Sequence, residues 1–240
     1  VKLVLIGYGK MGKALADIAI QRGHAIAQII GSTNHDLLAN MNPQAVDVAL
    51  EFSEPAAAYH NIHQCLSQGI PVISGTTGWL QHQKDIEQYC RAQGGTFFYA
   101  TNFSIGAHIF FKLNQLLAKM MSQQEDYRVS IEEIHHTSKK DAPSGTAITL
   151  AEGILQQISS KKQWINESSD QEDTIPIYSR RLPDVAGTHM VTYASPVDTI
   201  SIQHTAHSRQ GFALGAILVA EWLHTQRKKG VLGIDDFLAW

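Results

Sequence analysis

The stretch from Glu133 to Ala147, EIHHTSKKDAPSGTA, concentrates groups that can move protons and hold anions. His135 and His136 are adjacent, Lys139 and Lys140 follow, and Asp141 precedes Pro143, Ser144, Gly145 and Thr146. Neighbouring side chains on a strand point to opposite faces, so the two histidines are expected to do different jobs. A turn through Thr137 and Ser138 lets Lys139 fold back toward one of them. A helix starting near Ser144 would leave the N–H groups of Gly145 and Thr146 free beside the Thr146 hydroxyl, a compact cradle for a carboxylate. Lysine, with an ordinary pKa of about 10.4, starts protonated at neutral pH, whereas histidine at about 6.5 needs a negative neighbour. The pattern points to His135 and Lys139 as suppliers of protons and positive charge. Lys140 reads as solvated charge and Asp141 as a brace for the turn.

Which reaction these groups serve depends on what the rest of the chain is built to hold. LVLIGYGKMGKAL places Gly7, Gly9 and Gly12 after an apolar strand and at the start of a helix. That is the G-x-G-x-x-G order, in which glycines let a pyrophosphate approach the free N–H groups of a helix start. An acid some 20 residues further on commonly binds the adenosine ribose. IIGSTNHD stands there instead, offering Ser32, Thr33 and Asn34, with no Arg or Lys for a 2′-phosphate and Asp36 placed late. Phe52 and Ser53 end the third strand candidate, and Gly75 to Gly78 end the fourth. Ligands in open α/β sheets bind outside such carboxyl ends. YATNFS (99–104) ends the next strand and suits both cofactor contact and a change of domain.

These residues need a frame. Apolar runs at 1–6, 25–30, 46–52, 70–74 and 96–103 alternate with helical patterns at 11–22, 55–67 and 81–93. Near-continuous apolar strands between helices predict a parallel sheet covered on both faces, a Rossmann-like dinucleotide-binding domain of class α/β over 1–103. The rhythm then changes to a helix at 107–121, an alternating strand at 127–136 and a helix beyond Pro143. After the polar tract 159–173, read as a surface excursion, come strand candidates at 175–181, 188–195 and 198–208. Short links favour antiparallel pairing, so 104–209 is expected to be an α+β substrate-binding and oligomerisation domain. An apolar helix at 212–223 and the closing IDDFLAW place 210–240 as C-terminal helices returning to the first domain. Arg209, at the second change of domain, is a candidate anion contact.

The chain of 240 residues carries 19 Lys and Arg against 22 acids, a net charge of −3. That balance gives no global pull toward nucleic acid or an anionic membrane, so any anion site is local. Two cysteines, Cys65 and Cys90, are too few for a disulfide framework and fit a reducing compartment. The longest apolar stretch, Gly211 to Ala220, is short of the roughly 20 residues that span a bilayer. With VKLVLIG expected to be a strand and not a leader, the expected location is cytoplasmic. Twelve histidines show no H-E-x-x-H or clustered Cys/His spacing, so no metal is expected.

GYGKMG, SGTTG, NFSIG, EIHHTSKKDAPSGTA and SRQGFALGA, in that order, resemble the 4-hydroxy-tetrahydrodipicolinate reductase (dihydrodipicolinate reductase) family over essentially the whole chain. The resemblance implies an NAD(P)H-dependent oxidoreductase of lysine and diaminopimelate biosynthesis, using NADH or NADPH on a small dicarboxylate. It implies proton transfer by His135 and Lys139, and substrate contacts from His136, Gly145 and Thr146. It implies cofactor contacts from the loop Gly7, Tyr8, Gly9, Lys10, Met11 and Gly12, from Gly75, Thr76 and Thr77, and from Ala100, Thr101, Asn102 and Phe103. Ser32 and Phe52 join these from the strand-end reading. It also implies a homotetramer through the substrate-domain sheets. The missing ribose acid leaves NADH against NADPH open, and SPVDTI replaces a Gly-Glu turn between late strands. A different small-acid NAD(P)-dependent dehydrogenase, or a non-catalytic NAD(P)-binding sensor, would not require His135 and Lys139 before Pro-Ser-Gly-Thr.

Overall fold

The computed structural model describes residues 1–208 and 210–239, so Arg209 lies outside the described residues. In chain order the front elements are β1 (Lys2–Ile6), α1 (Lys10–Gln21), β2 (Ala25–Ile30), α2 (Asp36–Ala39), β3 (Val48–Glu51), α3 (Pro55–Ser67), β4 (Val72–Ser74), α4 (Gln83–Ala92) and β5 (Thr96–Tyr99). Then follow α5 (Ile105–Met121), β6 (Arg128–His135), α6 (Gly145–Leu155), β7 (Gln163–Ile165), β8 (Thr174–Arg181), β9 (Gly187–Ala194) and β10 (Thr199–Ala206). The chain closes with α7 (Gln210–Gln226), β11 (Gly230–Leu232) and α8 (Ile234–Leu238). Two compact units emerge: residues 1–104 with the segment 210–239, and residues 105–208. No described helix is long and apolar enough to cross a membrane.

The first unit is a six-stranded sheet in the order β11-β5-β4-β3-β1-β2, parallel throughout. Its strands are apolar on both sides because both faces are covered. Leu3 and Leu5 of β1 join the core with α1 and α7, whereas Val4 and Ile6 join the opposite core with α3 and α4. All four side chains are buried, each stabilising by roughly 1.5–3 kcal/mol. Pro55 starts α3 at a position where its missing N–H breaks no helical bond. Strand β11 is a sixth strand that the sequence pattern does not announce; three residues are too few to show a period.

The second unit is a five-stranded sheet in the order β10-β9-β6-β8-β7, with α5 and α6 on one face. On β6, Val129, Ile131, Glu133 and His135 face that buried side and alternate with half-exposed residues. The expected antiparallel pairing holds for β10 on β9 and for β9 on β6. It fails for β8, which pairs in parallel with β6 and with β7, so the sheet is mixed. The reason is the link 182–186: it does not close a hairpin but passes over the end of β6 to reach β9 on its far side. Leu182 N–H donates to the His135 carbonyl there at 2.9 Å. The polar tract 159–173, expected to be an excursion, contributes the short edge strand β7.

Candidate active site

In the first unit the glycine loop is held by backbone geometry. Gly7 sits at φ +91°, and a Cβ there would fall 2.3 Å from the Phe52 carbonyl oxygen. A Cβ on Gly12 would fall 2.2 Å from the Gly7 oxygen, so the turn closes only because both side chains are absent. Gly9 caps α1 with no side-chain hydrogen bond, and nothing lies within 4 Å of the position of its Cβ. Open space above a helix start is the arrangement a pyrophosphate requires, and the residues fit a dinucleotide.

Beside this loop is a cavity of about 270 Å³ lined by Met11, Phe52, Gly75, Thr76, Thr77, Thr101, Asn102 and Phe103, with Ser53, Pro55 and Phe212. Its volume suits one ring and its ribose better than a whole dinucleotide. The Phe52 ring lies against Gly75, where a Cβ would come within 2.2 Å of it. Thr76 Oγ1 accepts from Ser53 N–H at 3.0 Å, and the Thr76 carbonyl accepts from Trp79 Nε1 at 2.8 Å. Under these turns is Glu51, fully buried, which sequence reading missed. Its carboxylate accepts from Ser53 Oγ, from Ser53 N–H at 3.2 Å and from Ser74 Oγ at 2.8 Å, tying the ends of β3 and β4 together. A polar residue closing an apolar strand was the available signal.

Tyr8, Lys10, Ser32 and Ala100 are not among the cavity's lining residues. Tyr8, Lys10 and Ser32 are exposed, and the Ala100 side chain is buried in the core shared with α1 and α7. Asn34 is committed elsewhere: its Oδ1 accepts from Gly31 N–H at 2.7 Å and its Nδ2 donates to the Ile29 carbonyl at 2.9 Å. Of the three groups expected near the ribose, the exposed Ser32 and Thr33 remain.

In the second unit β6 delivers His135 to the end of the sheet, buried, with His136 just beyond it and half-buried. His135 Nδ1 meets Glu133 Oε2, and Glu133 Oε1 accepts from Arg181 Nη1 at 2.9 Å. The His189 ring lies against His135, centroids 4.9 Å apart and nearly perpendicular, and its Nε2 is 2.9 Å from Ser144 Oγ. Ser144 caps α6 by accepting from Ala147 N–H at 3.2 Å. The first helical backbone bond runs from Ile148 N–H to the Ser144 carbonyl, so the N–H groups of Gly145 and Thr146 precede it. The Lys139 backbone N–H donates to the His136 carbonyl at 3.1 Å, which closes the expected turn, and the Lys139 side chain pairs with Asp141. Its Nζ donates to both Asp141 oxygens, at 2.8 and 2.7 Å, which makes Asp141 the brace of that turn.

Burial pushes the His135 pKa down against the pull of Glu133, and the charges of Lys139 and Arg181 push it the same way. Burial also opposes the Glu133 charge, but hydrogen bonds from Ser179 and Arg181 and the nearby cations hold its carboxyl below the usual range. Burial, with the charge of His135, drives His189 to about 3, so it stays neutral at ordinary pH. The pairing with Lys139 holds Asp141 low. Ligand-type atoms of Glu133, His135 and His189 lie within 4.8 Å of one another, a grouping the sequence spacing did not reveal. The Arg181 guanidinium on the same carboxylate makes this a hydrogen-bonded network, since an added cation would meet a like charge.

Comparison with known proteins agrees with both halves of this description. Residues 1–103 match the family model described as dihydrodipicolinate reductase, N-terminus, and residues 106–238 match the one described as dihydrodipicolinate reductase, C-terminus. A 4-hydroxy-tetrahydrodipicolinate reductase of Christiangramia forsetii is 49% identical over 99% of this chain and 97% of its own. One from Nitratiruptor sp. is 37% identical over 81% of this chain and 78% of its own. A solved dipicolinate-bound dihydrodipicolinate reductase from Paenisporosarcina sp. TG-14 shares the fold, with a TM-score of 0.76 over 97% of both chains at 23% identity. The chain belongs to the dihydrodipicolinate reductase family of NAD(P)H-dependent oxidoreductases.

Proposed function

We propose that the chain reduces (2S,4S)-4-hydroxy-2,3,4,5-tetrahydrodipicolinate to tetrahydrodipicolinate, with loss of the 4-hydroxyl as water, in lysine and diaminopimelate biosynthesis. The observation that carries this reading is the continuous segment 133–147. It brings a buried His135 on a carboxylate, Lys139, and the open helix start at Gly145 and Thr146. When bound, the reduced nicotinamide supplies the hydride, to C4 of the ring. The balancing proton comes from His135 or Lys139, whose positive charge also favours a dianionic ligand. Substrate carboxylates raise the His135 pKa that burial depresses, so protonation of His135 accompanies binding. Gly145, Thr146 and His136 hold the carboxylates. Gly7 to Gly12 hold the pyrophosphate, and the cavity at Phe52, Gly75 to Thr77 and Thr101 to Phe103 takes the nicotinamide end.

The test is oxidation of NADH and of NADPH by the purified protein, with substrate generated freshly by the preceding synthase. Turnover with this substrate is expected, and its absence with both nucleotides overturns the reading. Neither nucleotide is expected to be strongly excluded. No acid follows β2 at the ribose position, and no Arg or Lys stands in 31–40. The two kcat/KM values should lie within about a thousandfold, roughly 4 kcal/mol; a wider gap means a determinant elsewhere.

The same reading includes a homotetramer in the cytoplasm. The face of the second sheet away from α5 and α6 carries Thr188, Met190 and Thr192 of β9, half-exposed, and Thr199, Ser201, Gln203 and Thr205 of β10, exposed. A strand face bare of helices and rich in β-formers suits pairing with copies of itself. Light scattering should give four times the chain mass, and a monomer at assay concentration would rule this out.

A further inference from the structure

Two charged residues to which the motifs assign no role, Glu133 and Arg181, are built into the second unit's site. Glu133 stands two residues before His135 on the same face of β6, with 0% of its surface exposed. A carboxylate persists in such a place only where its oxygens are hydrogen-bonded and a positive group offsets its charge. Both conditions hold, through His135 Nδ1 and Arg181 Nη1. Arg181 is opposite His135 in the β6–β8 register. Its other N–H groups reach backbone: Nη2 donates to the Asp141 carbonyl at 2.7 Å, and Nε to the Lys139 carbonyl at 3.4 Å. One guanidinium thus ties the carboxylate at His135 to the loop that carries Lys139. At the ring's other nitrogen, Gly187 brings no side chain, and a Cβ there would stand 3.1 Å from His135 Nε2. The imidazole is held at Nδ1 and left approachable at Nε2.

We propose that Glu133, anchored by Arg181, is a positioning residue: it keeps the proton of the neutral His135 ring on Nδ1, so that Nε2 exchanges a proton with substrate. The proposal rests on the proton-transfer role assigned to His135 above. A carboxylate only accepts, and the hydrogen bond at one imidazole nitrogen decides which tautomer is present. The charges facing the ring are Glu133 from its own strand, Arg181 from β8 and Lys139, paired with Asp141, from the loop. Strand β9 brings the neutral His189, and α6 carries one charged residue, the exposed Glu152. Among them Glu133 alone favours the imidazolium.

The test compares wild type with Glu133→Gln, Glu133→Asp, His135→Gln and the double variant Glu133→Gln with His135→Gln. Glu133→Gln should lower kcat by at least about ten- to a hundredfold, as loss of the hydrogen-bond partner behind a working histidine does, with KM nearly unchanged. Proton donation needs the charged ring, so activity fades as pH rises through the His135 pKa. Removing the group that raises this pKa should move the alkaline limb of the kcat profile to lower pH. Nitrogen chemical shifts of the His135 ring in the ligand-free protein should report Nδ1–H in wild type and its loss in Glu133→Gln. In the His135→Gln background the Glu133 change should lower kcat no further. An equal loss in both backgrounds would show a role in folding alone, and an unmoved pH limb with unmoved ring shifts would also overturn the proposal. Should Glu133→Gln not fold, Glu133→Asp decides: it keeps the charge but withdraws it by one methylene. A lowered kcat with wild-type ring shifts in that variant rejects the proposal, whereas wild-type rate and tautomer together show that the carboxylate suffices. Near-normal turnover of His135→Gln is a different failure, that of the underlying role, and it is read from a different variant.

Discussion

His135→Gln and Lys139→Ala are each expected to lower the maximal rate by roughly 10²–10⁴, the usual worth of a placed proton donor, while nucleotide affinity stays nearly unchanged. Both positions lie in the second unit, whereas the glycine loop and the cavity at Phe52 lie in the first. Lys139 adds a second effect, because a cation that faces a dianion also binds it, so its KM should rise as well. Thr146→Val is the contrast. Its hydroxyl holds a carboxylate in ground and transition states alike, and such uniform binding appears in KM, not in kcat. Steady-state kinetics at saturating substrate separate the two patterns. If His135→Gln and Lys139→Ala both turn over near-normally with either nucleotide, segment 133–147 is a solvated basic loop and the catalytic reading is wrong.

Nucleotide affinity should fall at least tenfold, about 1.4 kcal/mol, in Gly12→Val, and stability should fall with it. A Cβ at Gly12 overlaps the Gly7 oxygen, so the turn between β1 and α1 must open. Gly9→Ala separates the causes. Nothing lies within 4 Å of its Cβ, so the protein without ligand has room for the methyl group and should keep its melting temperature. What the methyl group meets is whatever approaches the helix start, and NADH affinity should fall here as well. Calorimetric titration of both variants provides the check. Wild-type affinity in folded Gly9→Ala and Gly12→Val together would remove the pyrophosphate from this loop.

The parts legible in the sequence are those where one physical requirement writes one pattern. Strands buried on both faces must be apolar throughout, so β1, β3, β4 and β5 stand out, and a turn that tolerates no Cβ must be glycine. Three-residue edge strands, β7 and β11, carry no period to detect. The parallel placement of β8 was hidden because a five-residue link reads as a hairpin unless its passage over the end of β6 is known. Glu133 and Arg181 were missed because charged residues in an alternating strand read as its wet face. The clue was spacing: Glu133 is two residues from His135 and so shares its side of the strand. Asn34 shows the converse, a suitable donor already used within its own turn.

The division of the first unit between two distant segments sets an order of assembly during synthesis. One face of its sheet, with Leu3, Leu5, Val48, Leu50 and Phe98, shares its core with Ala213, Ala216, Ile217, Val219, Ala220 and Leu223 of α7. Arg22 and His24 grip Glu221 of the same helix. A ribosome adding about 5–20 residues per second takes on the order of ten seconds to pass from residue 104 to α7. For that interval the nucleotide sheet has α1 on this face but lacks α7, and it also lacks its edge strand β11. The second unit is one unbroken segment and is complete before α7 exists. A chain interrupted at residue 208 therefore holds every residue of the His135 site, beside a dinucleotide fold whose apolar face is still partly bare.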